Sequence, residues 1–260
     1  MRLIMKLIEY NINPYFKELN KIEFIITYAC TGKCKHCSEG DHKLHGERID
    51  PKIVIDAVGK VAKEYNIETV MVFGGEPLLY PDPVYEIIAL AKELGIPKRQ
   101  VITNGYFSNN IVKIREVVSK LSECGVNDLL LSVDAFHQET IPLDVVKMFA
   151  KEAADYGIPT RLQPAWLVSR EDDNKYNVKT REIINCFIDL GLFASEGNVI
   201  FPEGNALIYL SDYFVDHQPK NPYTTDPCNV NCISIEPNGD VLGSNLYQKD
   251  ILKIIEEYTP

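Results

Sequence analysis

The 260-residue sequence contains no apolar run approaching the roughly 20 residues needed to cross a bilayer, so no membrane-spanning helix is expected. Its opening, MRLIMKLIEYNINPYF, lacks the long apolar stretch and the small-residue cleavage site of a secretory signal, and a cytoplasmic location follows as the expectation. There is no basic block. Lys and Arg number 27 against 37 Asp and Glu, for a net charge of −10, which disfavours a nucleic acid partner. Internal repeats and low-complexity segments are absent, and 45% apolar with 25% charged residues excludes a wholly disordered chain. The length is short for two ordinary domains of about 150 residues and comfortable for one large one. Seven cysteines, an odd number without a signal, argue against a disulfide scaffold and for a reducing compartment.

What the sequence does have is a strand-then-helix rhythm. Apolar, β-rich stretches at 22–28, 67–73, 101–103, 129–134, 160–168 and 198–201 alternate with helical patterns at 50–65, 83–95, 110–124, 142–156 and 177–190. Asp50 and Pro51 supply an N-cap and a first-turn proline, and Gly95, Gly125, Gly157 and Gly191 stop four of the helices. Such alternation implies parallel strands with right-handed crossovers, hence an α/β fold: a partial (β/α)6 TIM-like barrel. Chemistry in these folds gathers at the C-terminal ends of the strands. Cys30, Gly74–Pro77, Thr103–Gly105 and Asp134 all fall there. The rhythm stops after 201. Residues 202–227 read as a linker, 232–244 as a β-hairpin turning at Pro237-Asn238-Gly239, and 248–258 as an amphipathic helix. The expected organisation is an N-terminal segment 1–21, a core barrel 22–203 and an extension 204–260. Cys124 and Cys186 lie in helical patterns and read as buried fillers, and Trp166 as core or wall.

Three cysteines crowd one loop, as Cys30-x3-Cys34-x2-Cys37. Three thiolates can hold three corners of an iron–sulfur cube and leave one iron open. A structural zinc wants four closed ligands, and His36, His42 and His45 are the rival fourth donors. Incidental thiols are the third reading that the spacing leaves open.

The four strand-end motifs together resemble those of the radical S-adenosylmethionine (SAM) superfamily. The cysteine triad stands after the first strand and Gly74-Gly75-Glu76-Pro77 after the second. Thr103-Asn104-Gly105 follows the third, and Ser132-Val133-Asp134 ends the fourth, within a resemblance spanning roughly 20–203. That resemblance implies a [4Fe–4S] cluster on Cys30, Cys34 and Cys37, with SAM on the open iron and reductive cleavage to a 5′-deoxyadenosyl radical that takes hydrogen from substrate. It also implies a one-electron reductant of the flavodoxin or ferredoxin type and an anaerobic setting. Gly74, Gly75, Glu76, Pro77, Thr103 and Asn104 are then SAM-site residues, Glu76 bonding the SAM ammonium. Ser132 and Asp134 are placed for the ribose or the methionine end, Arg161 for the carboxylate, and Ile200 with Phe201 against adenine. His137 is a candidate substrate contact. His36, where the superfamily often has an aromatic residue, tilts the resemblance toward the peptide-modifying branch.

Cys228-x3-Cys232 and the hairpin after it resemble the start of the SPASM or twitch extension of that branch. Ser244 stands where another cysteine is usual, so a cluster-free, truncated extension is expected. Cys228 and Cys232 become candidate hydrogen donors to a substrate radical. With only about 20 residues before the first strand, no leader-binding domain is expected. The main expectation is thus an enzyme acting on a peptide or protein substrate. The alternative is small-molecule or cofactor biosynthesis, and a non-enzymatic zinc-stabilised protein stands third.

Overall fold

The computed structural model describes residues 13–42, 46–216 and 218–260. In chain order the elements are β1 (Lys21–Ile25), α1 (Pro51–Glu64), β2 (Thr69–Phe73), α2 (Pro81–Glu93), β3 (Lys98–Thr103), α3 (Ile111–Cys124), β4 (Asp128–Ser132), α4 (Leu143–Asp155) and β5 (Thr160–Gln163). There follow β6 (Ala165–Trp166), α5 (Lys175–Asn185), β7 (Asn198–Val199), α6 (Asn205–Tyr209), β8 (Cys232–Ile235), β9 (Asp240–Val241), β10 (Ser244–Asn245) and α7 (Ile251–Glu257). The main sheet has six strands in the order β5-β4-β3-β2-β1-β8, and every neighbouring pair is parallel. This is the α/β core of a partial TIM-like barrel. Among the described residues no helix is long and apolar enough to cross a membrane.

Strand alternation sorts the side chains. Ile22 and Phe24 of β1, Val70 and Val72 of β2, Val101 of β3, Leu129 and Leu131 of β4 and Leu162 of β5 join one core with the helices. Lys21, Glu23, Met71, Gln100, Asp128, Leu130, Ser132, Arg161 and Gln163 alternate with them and face the concave side. Helix caps follow local chemistry. Asp50 accepts from Lys52 N ahead of Pro51, Asn110 accepts from Val112 N, and Asn174 accepts from Tyr176 N and Asn177 N.

Two expectations change. Residues 198–201 do not enter the main sheet; β7 pairs with β6 in a separate parallel ribbon. Pro164, which has no N–H to donate, separates β5 from β6 where the sequence suggests one strand over 160–168. The sixth place in the main sheet goes to β8, which lies parallel to β1 with Cys232 opposite Lys21. Ile233 and Ile235, each 1% exposed, bury against the main core and draw the strand in. The turn falls where the sequence puts it: Gly239 N donates to Glu236 O at 2.9 Å and Glu236 N to Asp240 O at 3.0 Å. Within the extension the antiparallel pairing is between β9 and β10.

Candidate active site

The cysteine loop leaves the C-terminal end of β1 and is tied down from four directions. Gly75 N donates to Thr27 O at 2.7 Å and Glu76 N to Ala29 O at 2.8 Å, stitching the end of β2 to the approach of the loop. The loop after β4 contributes Thr140, whose hydroxyl accepts from Lys33 N at 3.0 Å, and Glu139, which pairs with Lys35 at 3.0 Å. After β7, Asn205 N donates to Cys37 O at 2.9 Å and Asn205 Nδ2 to Cys34 O at 3.1 Å. From the end of β3, Asn104 Nδ2 reaches Thr31 Oγ1 at 3.2 Å and Cys30 Sγ at 3.6 Å. Segments distant in sequence thus converge on one short loop.

The glycines are explained by packing. A Cβ on Gly75 would lie 2.2 Å from Ala29 O, and one on Gly74 would lie 2.5 Å from Thr27 O, so the backbone before the cysteines occupies the space a side chain would need. Gly204 is the counterpart on the far side, where a Cβ would meet Ser38 O at 2.2 Å and Cys37 O at 2.5 Å. Gly204-Asn205 is a site feature that sequence reasoning missed. A glycine-asparagine pair just past the last barrel strand is the signal that marked it.

Glu76 is completely buried. Its Oε1 accepts from Leu78 N at 3.0 Å and Thr103 Oγ1 at 2.7 Å, and its Oε2 from Asn104 N at 2.8 Å. The carboxylate therefore caps the turn Pro77–Leu79 and locks the ends of β2 and β3 together. Burial pushes its pKa up to about 7, against the three donors that pull it down. A carboxyl raised in this way takes up its proton on folding. Its contribution to stability is fully present below the unfolded value near 4.3 and is lost as pH rises through about 7. In Glu76→Gln the amide would present a donor to Leu78 N and Thr103 Oγ1 or to Asn104 N, a loss of about 1–3 kcal/mol. Thermal unfolding should show the variant less stable than the wild type at pH 5. The gap should be narrower at pH 8, where the wild type has lost the protonated form. A gap that widens toward pH 8 would remove this account of the carboxyl.

Asp134 is also completely buried. Its Oδ1 accepts from Phe136 N and His137 N, both at 2.9 Å, and its Oδ2 takes Ala165 N at 3.0 Å and His137 Nδ1 at 2.7 Å. All four lone pairs are spent. Asp134 is thus a brace between β4 and β6, and this corrects its placement on a SAM hydroxyl. Burial alone would raise its pKa, but the His137 imidazole and the hydrogen bonds hold it well below the usual carboxylate range. Ser132 sits at the end of β4 on the concave side, within reach of the site.

Two further expectations are corrected by position. Arg161 does face the concave side, but its Nε and Nη2 bind Asp128 Oδ1 and Oδ2, each at 2.9 Å. Asp128 is the first residue of β4, so the guanidinium points toward the opposite end of the sheet from the cysteines. Ile200 is 4% exposed inside a small apolar cluster with Phe136, Leu167 and Leu210, so its side chain is engaged in packing rather than open toward the site. Cys232 lies opposite Lys21, the first residue of β1, and Cys228 is exposed beyond it. The pair is therefore at the base of the sheet, at least about 13 Å from the cysteine loop by strand rise.

All seven cysteines are free thiols. Burial pushes Cys30 up to about 12 and also raises Cys34 and Cys37. Thiols that are buried, as Cys34 is, or half-buried, as Cys30 and Cys37 are, and whose pKa values are raised give up their protons most readily to a bound metal. The three sulfurs do not draw together around one point as the ligands of a single ion do; the set that does is Cys34, His36 and His137. Three thiols on one loop are the donor set for three corners of an iron–sulfur cube. His42 stands behind Cys37, with Nε2 3.0 Å from Sγ and Nδ1 2.7 Å from Tyr28 O. His45 lies outside the described residues.

Comparison with known proteins agrees with this geometry. A family model described as the radical SAM superfamily matches residues 24–169. A probable GTP 3′,8-cyclase of Sulfolobus acidocaldarius is 32% identical over 124 residues, covering 46% of this chain and 36% of that protein. One of Saccharolobus islandicus is 29% identical over 191 residues, covering 69% of this chain and 55% of that protein. The chain thus spans between about a third and just over half of these relatives' length. In fold it is similar to Streptococcus suis SuiB bound to S-adenosylmethionine, with a TM-score of 0.60 at 14% identity over 91% of this chain and 65% of that one.

Proposed function

We propose that this chain, which belongs to the radical SAM superfamily, transforms a small polar molecule in cofactor biosynthesis, with Cys30, Cys34 and Cys37 as the cluster ligands. It is an iron–sulfur, SAM-dependent enzyme, and its cofactors are SAM and a [4Fe–4S] cluster. When bound, the cluster supplies the electron that splits SAM into methionine and a 5′-deoxyadenosyl radical, which removes hydrogen from substrate.

This chain's own residues do the positioning. Gly74 and Gly75 let the end of β2 pass flush against the loop, and Glu76 holds Thr103 and Asn104 beside Cys30. In this reading the polypeptide edge of 74–77, Asn104 and Ser132 line the SAM site, and Glu76 serves it through Thr103 and Asn104.

The observation that carries the substrate reading is the likeness to the probable GTP 3′,8-cyclases; the concave face adds polar side chains at the base of the sheet. Gln100 and Arg161 both bind Asp128, at 2.7 Å and 2.9 Å, and Lys98 joins them at 3.2 Å. Lys21 pairs with Glu23 on the same face. These three basic and two acidic groups, with Gln100, make the lower concave face polar. The name of the relatives makes GTP the first compound to test. The reductant is a flavodoxin- or ferredoxin-type carrier.

The peptide-modifying branch stays as a second reading because of one observation. β8 follows the Cys228–Cys232 pair onto the sheet and leads directly into the tight turn at Glu236–Asp240, the arrangement that suggests a SPASM- or twitch-like extension. Cys232, in register with Lys21, and the exposed Cys228 stand at the end of the sheet away from the cysteine loop, which weighs against the hydrogen-donor role expected of them.

The experiment is a comparison of 5′-deoxyadenosine formation by the reconstituted enzyme with SAM and dithionite. The small-molecule reading expects GTP or a related cofactor precursor to stimulate turnover and deuterium from labelled substrate to enter 5′-deoxyadenosine. Stimulation by a peptide alone would reverse the order of the two readings. Separately, the double variant Cys228→Ala/Cys232→Ala should keep the wild-type iron content of about four per chain, a single [4Fe–4S] cluster, and wild-type SAM cleavage. Both thiols stand at the far end of β1 from the loop. A fall in iron would reveal an auxiliary cluster.

A further inference from the structure

Beside the cysteine loop two imidazoles that the SAM reading does not use converge on Cys34, a thiol that it does use. One ligand atom each from Cys34, His36 and His137 lies within 4.8 Å of the other two. The two imidazoles meet edge to face, with centroids 4.8 Å apart. His36 Nδ1 is buried and has no hydrogen-bond partner among the described residues. A buried ring nitrogen without a partner is costly unless something binds it.

His137 is oriented from behind. Its Nδ1 is 2.7 Å from Asp134 Oδ2, while Asp134 is fixed by Phe136 N, His137 N and Ala165 N. That contact sets the proton on Nδ1 and leaves the Nε2 lone pair free. A carboxylate on one ring nitrogen of a histidine that stands among further donors is the arrangement found behind metal-bound histidines.

We propose that Cys34, His36 and His137 form a second metal site, which takes a zinc-like divalent cation when the cluster is absent and excludes the cluster by claiming Cys34. One thiolate and two neutral imidazoles suit a borderline cation such as Zn²⁺ and leave a fourth position for water. Metal–ligand bonds of about 2.0–2.3 Å would place neighbouring ligand atoms about 3.3–3.7 Å apart. The donors need to close by about 1 Å, through side-chain rotation. Binding releases the Cys34 proton to solvent and involves no change of oxidation state. The consequence is a chain with two exclusive metal forms, a zinc form closed over Cys34 and the cluster form. The proposal stands independently of the substrate reading.

The test uses Co²⁺ as a coloured stand-in for zinc on the full-length, metal-free chain under anaerobic conditions. One Co²⁺ per chain is expected, with tetrahedral ligand-field bands and a sulfur-to-cobalt charge-transfer band, both displaced by Zn²⁺. Cys30→Ser/Cys37→Ser should keep these bands, because neither thiol is a ligand of this site. His137→Asn, which retains a donor to Asp134, and His36→Phe, which retains a ring, should each weaken Co²⁺ by more than the about 10–100-fold typical of losing an outer partner. Circular dichroism confirms that each variant is folded. Absence of Co²⁺ binding, bands that vanish in Cys30→Ser/Cys37→Ser, or bands unchanged in both histidine variants would each overturn the proposal. The last two outcomes would place the metal on the cysteine triad.

Discussion

Replacing any one of Cys30, Cys34 or Cys37 by alanine is expected to reduce SAM cleavage to background and to remove most of the cluster absorbance. Each thiol is on the same loop, and a cube left with two protein thiolates is not firmly held. The fold should survive. The loop's anchors are main-chain groups, the side chains of Thr140, Asn104 and Asn205 and the Lys35–Glu139 pair, while the thiols add the contacts of Cys30 Sγ with Gly32 N at 3.3 Å and Asn104 Nδ2 at 3.6 Å and of Cys37 Sγ with His42 Nε2 at 3.0 Å. Full iron content with wild-type 5′-deoxyadenosine formation in any single variant would detach that cysteine from the cluster. An unfolded variant would show instead that the thiol is a packing group.

Gly75→Ala should be strongly damaging for a single added methyl. Its Cβ would lie 2.2 Å from Ala29 O and 2.9 Å from Tyr28 O, and main chain cannot swing aside as a flexible side chain does. Overpacking of this kind costs about 1–3 kcal/mol. Separating the strands would also stretch the bonds from Gly75 N to Thr27 O and from Glu76 N to Ala29 O, at about 1 kcal/mol each. A loss of roughly 2–5 kcal/mol corresponds to a fall in Tm of about 5–15 °C for a chain of this size. The loop that carries Cys30 should shift, so reconstitution should also fail. Gly59→Ala is the control: a Cβ there meets nothing within 4 Å, and in the middle of α1 it should stabilise by up to about 1 kcal/mol. Equal melting temperatures for the two variants would mean that the contact with Ala29 is not what demands glycine at position 75.

The alternating elements and the strand-end motifs were legible because each depends on local chemistry. Asp50-Pro51 starts a helix wherever it stands, and apolar β-branched runs fix strands whose C-terminal ends collect on one side. Features that depend on a distant partner were not legible. The space beside Gly75 is filled by residues 28–29, so sequence identifies a glycine but not what excludes its side chain. Asp134 looked like a ligand group because its fourth hydrogen bond comes from Ala165 N, 31 positions away. Arg161 faces the expected side of the sheet, yet its reach is decided by Asp128 on the neighbouring strand. The alternation Cys-Ile-Ser-Ile identifies β8 as a strand, and only the open edge of β1 decides that it pairs there.

The central claim is that Cys30, Cys34 and Cys37 hold a [4Fe–4S] cluster with one iron open to SAM. The most direct measurement is electron paramagnetic resonance of the anaerobically reconstituted, dithionite-reduced chain with and without SAM. The account predicts an S = 1/2 signal from one cluster per chain whose g-values shift when SAM is added. A signal indifferent to SAM, or a colourless protein that retains zinc and no iron after reconstitution, would contradict it.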